Sequence, residues 1–245
     1  MRDTLIAAAR RGARVAVTLQ ADPYRNPFGA RCNAAAARAL RSAGATVTLL
    51  PSARVPFHLK AAVCDGVAYL DDRNWTKRGP ETVVADDGAA DVALVRDALA
   101  GRGGADATLA TRKDEALRRE ADLVDAAGDA AVIVETEHIA TSPLTRALQR
   151  HAATGAATTL VLGRAGRHSA SEACALAALA SAGVRMRYGG TNEKLALAGS
   201  AAWIGSGNAT GASGRGAGQV EWGLVTREPA LVASVRAALA RDVAG

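Results

Sequence analysis

Two stretches of the chain, "HLKAAVCDGVAYLDDRN" (58–74) and "NEKLALAGSAAWIGSGN" (192–208), run in step. Each places a Lys two positions after its start, then two short apolar runs, then a closing Asn. The interval from His58 to Asn74 equals that from Asn192 to Asn208. Further matches flank them in the same order. "RGARVAVTL" (11–19) pairs with "TGAATTLVL" (154–162), "RSAGATVTLL" (41–50) with "ASAGVRMRYG" (180–189), and "ETVVADD" (81–87) with "EWGLVTRE" (221–228). Matches in one order, with one shared spacing, point to a duplicated unit, so both halves must fold to the same local pattern.

Apolar periodicity describes that pattern. Residues 3–11 read as a helix, 13–20 as a strand, 32–43 as a helix and 45–50 as a strand. Short strands follow around 60–65, 67–70 and 82–86, then a helix near 89–100. In the second half, strands are predicted at 130–137, 156–163, 184–188, 193–198, 200–204 and 218–226, and helices at 142–153, 170–183 and 228–242. The Gly-rich "AGRGGADAT" (100–108) has linker composition, and 111–127 reads as a charged amphipathic helix. Such alternation means an α/β fold with a largely parallel or mixed sheet. The division expected is a first repeat over 1–108 and a second over 109–245. Strand 130–137 has no partner in the first half, where Met1 lies almost inside the equivalent helix. Either the first repeat lacks that strand or the true start lies upstream.

The 245 residues can bury a substantial core. Aromatics are only 3%, so packing must rest on Ala, Val and Leu. A net charge of +6 favours anionic partners: nucleic acid, phospholipid headgroups or phosphorylated small molecules. The basic residues are dispersed, however, and an Arg- and Ala-rich compositional bias explains them equally well. Cys32, Cys64 and Cys174 form no CxxC pair, which argues against a disulfide framework or a zinc site and fits a reducing cytoplasm. No apolar run approaches the ~20 residues of a membrane span. The segment after Met1 lacks the apolar core of a secretion signal. Peripheral membrane contact stays open as part of the lipid option.

H-x-K, four residues, D, then an Asn, set in α/β repeats, resembles the phospholipase D superfamily. That family's signature is H-x-K-x4-D followed by Gly-Ser-x-Asn. His58, Lys60, Asp65 and Asn74 match it in the first repeat; Lys194, Gly205, Ser206 and Asn208 match it in the second. The resemblance implies two pseudo-twofold-related α/β/α repeats with mixed sheets packed together and one site at their interface. It also implies the chemistry. A neutral imidazole attacks phosphorus and forms a phosphohistidine. Lys60 and Lys194 neutralise the non-bridging oxygens, and Asn74, Asn192, Ser206 and Asn208 hold them. A second His protonates the leaving oxygen and then activates water. No metal or cofactor is required.

The chain departs from that scheme in both halves. "DDRN" replaces Gly-Ser-x-Asn in the first, so Asp71 and Asp72 put carboxylates where a hydroxyl belongs. In the second, Asn192 stands in for His and Gly199 for Asp, and Asn cannot shuttle protons. Glu81 and Glu221, each at the start of a strand, either fix a catalytic imidazole's tautomer or are solvated strand ends. Glu135, Glu137 and His138 are candidates to replace the missing acid, against the plainer reading of His138 as an exposed loop residue. His151 and His168 read as surface residues, and Trp75, Trp203 and Trp222 as packing residues. Tyr24, Arg25 and Arg31 lie in a segment that could line the pocket. Two functions follow. One is a phosphodiesterase or phosphatidyl-type transferase acting on phospholipid, nucleic acid or a small diester. The other is a pseudoenzyme that binds phosphate-bearing ligands. A homodimer completing the site is a third arrangement that the short first repeat allows.

Overall fold

A computed structural model of the chain describes residues 1–23, 26–72, 82–163, 168–211 and 218–244. The first half runs α1 (Arg2–Arg10), β1 (Ala16–Gln20), α2 (Pro27–Ser42), β2 (Thr46–Leu50), β3 (Ala61–Cys64), β4 (Val67–Asp71), β5 (Val83–Asp86) and α3 (Ala89–Leu99). β6 (Leu109–Ala110) and α4 (Lys113–Asp125) follow. The second half runs β7 (Val132–Thr136), α5 (Pro143–Ala153), β8 (Thr158–Leu162), α6 (Ala170–Ser181), β9 (Arg185–Tyr188), β10 (Leu195–Ala198), β11 (Ala201–Gly205), β12 (Gly223–Thr226) and α7 (Pro229–Ala244). After β7, the element order of the second half matches that of the first.

β7 decides how the strands are grouped. It pairs parallel with β8 on one side and antiparallel with β10 on the other. A seven-stranded mixed sheet results, in the order β6-β12-β11-β10-β7-β8-β9. No strand takes that place in the first half among the described residues. Its parallel pair β1-β2 and its antiparallel meander β3-β4-β5 are therefore separate sheets.

Local chemistry fixes the turns and ends. Asp65 and Gly66 both have positive φ (48° and 91°) and close a two-residue hairpin in which Cys64 faces Val67. Paired positive φ values fit the right-handed twist of the flanking strands. The β10–β11 hairpin uses Gly199 (φ 59°), so the Asp-to-Gly difference between the halves is a choice between two turn residues. α2 begins at Pro27, five residues before the helix that periodicity predicts. Asn26 caps it by accepting from the Phe28 N–H, and Pro27 needs no donor at N1. β12 is shorter than predicted because Val220 leaves the sheet to bridge to Phe57.

The halves meet through apolar packing. Ala61, Leu70, Val84 and Val95 of the first half share one buried cluster with Leu195, Ile204, Trp222 and Leu239 of the second. The Trp222 indole N–H donates to the Asp71 carbonyl at 2.8 Å, so this ring also ties the halves by a hydrogen bond. The opposite face of the large sheet packs on α4, α5 and α6 around Leu144, Leu148, Leu160 and Trp203. Along β10 and β11 every residue is buried, and none carries a charged side chain. His151 is likewise a core residue, not the surface residue its helix suggested. Its ring nitrogens meet Thr158 Oγ1 at 2.7 Å and the Ala130 carbonyl at 3.1 Å. No helix among the described residues is long and apolar enough to cross a membrane.

Candidate active site

The segment before β3 and the segment before β12 run side by side. The His58 N–H donates to the Val220 carbonyl at 2.9 Å, and the Val220 N–H donates to the Pro56 carbonyl at 2.8 Å. This pairing sets His58 of one half against Glu221 of the other. His58 Nδ1 lies 2.7 Å from Glu221 Oε1. A carboxylate can only accept here, so Nδ1 carries the proton and Nε2 keeps the lone pair. Lys60 Nζ lies 2.7 Å from both ring nitrogens and donates to Nε2.

Glu221 is 2% exposed. Burial alone would raise its carboxyl, but the His58 hydrogen bond and the charges of Lys113 and Lys60 hold it below the usual carboxylate range. Burial acts on Lys60 in the opposite sense. Desolvation, with help from Lys194, lowers it to about 7 against the pull of Glu221, Asp72 and Glu137. An incoming phosphoryl group would supply the negative charge that restores its proton.

Three matched hydrogen bonds build the frame around this pair. The Asp71 N–H donates to the Lys60 carbonyl at 2.9 Å, as Gly205 does to Lys194 at 3.0 Å. The Asp72 N–H donates to the Thr82 carbonyl at 3.3 Å, as Ser206 does to Trp222 at 3.0 Å. Finally, Thr82 N–H donates to Asp72 Oδ1 at 3.1 Å, and Trp222 N–H to Ser206 Oγ at 3.1 Å. Ser206 thus anchors the residue after Glu221, and Asp72 does the same job in the other half. Both are fully buried, and each side chain is engaged in this frame. The "DDRN" carboxylate of Asp72 makes the same backbone-accepting bond as the Ser206 hydroxyl. Burial pushes Asp72 up to about 7.

Other predicted residues distribute unevenly. Asp65 sits at the exposed hairpin tip and does not join the His58 group. Lys194 is buried, donates to the Asn192 carbonyl at 2.8 Å and lies 3.6 Å from Glu137. Asn192 has φ 68°, a left-handed conformation that Asn adopts more readily than most residues, and its amide packs against the backbone of Gly163. Glu135 turns into a buried cluster with Glu193 and Asp242, whose carboxylate oxygens lie within 4.8 Å of one another. That group has the donor set for a cation. Burial first, then Asp242 and Glu193, raise Glu135 to about 8, so a proton neutralises it. Asn74, Glu81, Trp75, Tyr24 and Arg25 lie outside the described residues.

Two cavities meet at His58. One, of about 670 Å³, is lined by Thr18, Gln20, Asn33, Ser52 and Lys60 among others. The second, of about 360 Å³, is lined by Lys113, His138, Glu172, Asn208, Thr210 and Glu221. Lys113 was not legible as a site residue, since it reads as one more charge on an amphipathic helix. Folding buries it, with Nζ donating to Thr210 Oγ1 at 3.0 Å and 4.0 Å from Glu221 Oε2.

Gly207 is the glycine this arrangement needs. A Cβ there would stand 2.2 Å from Glu221 Oε2. Gly207→Ala should displace Glu221 and break its bond to His58 Nδ1. Nitrogen NMR of the His58 ring checks this, and an unchanged tautomer signal would remove Glu221 from the positioning of His58.

No family model matches the sequence, nor does any curated protein. Among solved structures, polyphosphate kinase from Porphyromonas gingivalis superposes with a TM-score of 0.65 at 14% identity, over 99% of this chain and 43% of that one. This chain thus spans less than half the length of that kinase. Nuc from Salmonella typhimurium, a phospholipase D family member, gives a TM-score of 0.45 at 16% identity over 51% of this chain and 85% of its own. NucT from Helicobacter pylori gives 0.43 at 12% identity, over 56% of this chain and 94% of its own. The chain thus shares the fold of the matched part of the polyphosphate kinase, and His58, Lys60 and Asp65 carry the H-x-K-x4-D spacing that resembles the phospholipase D superfamily.

Proposed function

We propose that the protein transfers a phosphoryl or phosphodiester group through a covalent phosphohistidine at His58. The observation that carries this reading is the 2.7 Å bond from His58 Nδ1 to the buried Glu221 of the other half. It fixes the tautomer in which Nε2 is the nucleophile and compensates the charge that the ring gains on attack. Lys60 already lies at Nε2 and is placed to follow the non-bridging oxygens onto the phosphoryl group. Lys113 and Asn208, on the smaller cavity, add a charge and an amide for the same oxygens. Phosphoryl transfer is the wider class that also accommodates the likeness to a polyphosphate kinase. Within that class we favour a diester substrate, because H-x-K-x4-D suits an anionic diester. Nucleic acid, phospholipid and small diesters remain the substrate arms.

The second reading, a binding module without turnover, is favoured by one observation. Asn192 replaces the second histidine and its amide packs against Gly163, so the partner half offers no imidazole at that position. The two readings separate in one experiment. The protein is incubated with bis(4-nitrophenyl) phosphate, labelled DNA and phospholipid vesicles, then quenched in alkali, which preserves phosphohistidine. Acid-labile label on the protein is expected with at least one of the three. Binding without label on any of them would favour the binding module.

A further inference from the structure

We infer that His138, oriented by Glu172, supplies and recovers the proton in the His58 reaction, in place of the histidine lost at Asn192. This rests on the phosphohistidine reading above. Three residues near the end of β7 were candidates for that task, and the structure separates them. Glu135 is sealed into the cluster with Glu193 and Asp242. Glu137 lies 3.6 Å from Lys194 and lines neither cavity at His58. His138 lines the 360 Å³ cavity together with His58.

Its geometry repeats that of His58. Nδ1 lies 2.8 Å from Glu172 Oε1, so a carboxylate again holds the Nδ1 proton and Nε2 is the exchanging atom. Glu172 is itself held. Its Oε2 accepts from the Ser169 N–H at 2.9 Å, and its own N–H donates to Ser169 Oγ at 3.2 Å. This capping box at the start of α6 gives the carboxylate a fixed place. The ring is half-exposed, so it exchanges protons with water. The charged or titratable groups that face it are Glu172 from α6, Glu137 beside it at 3.9 Å, and Lys113, Glu221 and His58 across the cavity.

The steps balance as follows. His58 Nε2 attacks phosphorus, the P–O bond to the leaving group breaks, and the oxygen takes the proton from His138 Nε2. The imidazolium charge at His58 is met by Glu221. Water then attacks phosphorus, neutral His138 Nε2 takes its proton, and the P–N bond breaks with its electrons returning to His58 Nε2. Each histidine ends as it began.

The test compares two leaving groups. Nitrophenolate departs without a proton; the alkoxide of a dinucleoside phosphate needs one. In His138→Gln, the alkoxide substrate should lose ~10²–10⁴-fold in the first step. Bis(4-nitrophenyl) phosphate should still give a nitrophenolate burst, followed by slowed turnover and accumulated phosphoenzyme, because the water step lacks its base. Added imidazole should restore His138→Ala on the alkoxide substrate, and Glu172→Gln should shift the pH profile of that step. Equal losses on both substrates, or none, would overturn the role of His138 while leaving His58 in place. A wild-type protein that forms no phosphoenzyme would overturn both.

Discussion

His58→Ala should abolish the covalent intermediate and lower turnover by about 10⁴-fold or more, the order seen when a nucleophile is removed from a cooperating group. The expectation follows from how little else at the site can attack phosphorus. Lys60 is held near 7, so part of it is unprotonated at neutral pH, but its nitrogen is committed to the ring of His58 at 2.7 Å. Without the ring, Lys60 is left beside Glu221 as a simple cation, and binding of an anionic substrate should survive. Turnover and equilibrium binding therefore move apart in this variant. The check is a single-turnover assay with alkaline quench beside a binding isotherm. Turnover that persists unchanged with His58 removed would sink the nucleophile assignment.

Glu120→Gln should stabilise the protein, and more so as pH rises. Glu120 lies on the buried face of α4 among Ala116, Leu117, Ala121 and Val124. Burial alone pushes its carboxyl up to about 8. In the unfolded chain the group loses its proton near its ordinary value of 4.5. Folding stability from this residue is thus full below that pH, drains away as pH rises towards 8, and levels off above it. Gln keeps the shape and carries no charge, so it removes the drain. The gain is expected to be small at pH 5 and to reach a few kcal/mol at pH 9. For a chain of this size that is a Tm difference of roughly 5–10 °C. Glu135 has the same kind of raised pKa, so the variant should retain some alkaline weakening. Parallel Tm curves for the two proteins from pH 5 to 9 would count against a neutral buried Glu120.

Neither His138 nor Lys113 could be weighed properly from the sequence, and the reason is the same for both. A histidine after a strand and a lysine at a helix start are common and usually solvated. What changes them is the chain that folds opposite. Lys113 comes to within 4.0 Å of Glu221, which is more than a hundred positions away, and His138 finds Glu172 on a helix beyond the next strand. Spacing rules describe neighbours along one element and cannot report such meetings.

Ser206 and Asp72 teach a related point. By sequence, hydroxyl and carboxylate look like opposite choices for a phosphate site. By structure, both accept a backbone N–H from the residue just before the strand that follows. The chemical difference matters less than the shared acceptor.

The linear order of residues determined the element pattern, the matched spacing of the two motifs and the nomination of His58 as the candidate imidazole. These depend on local conformation and on side-chain chemistry, both of which are written position by position. Tertiary structure alone decided that His58 takes its carboxylate from Glu221 of the other half, that Asp65 stays at an exposed hairpin tip, and that β7 joins one half's strands while the other half's remain apart. Those outcomes depend on which buried faces pack together, and apolar packing such as that of Leu70 and Trp222 sets them without leaving a motif.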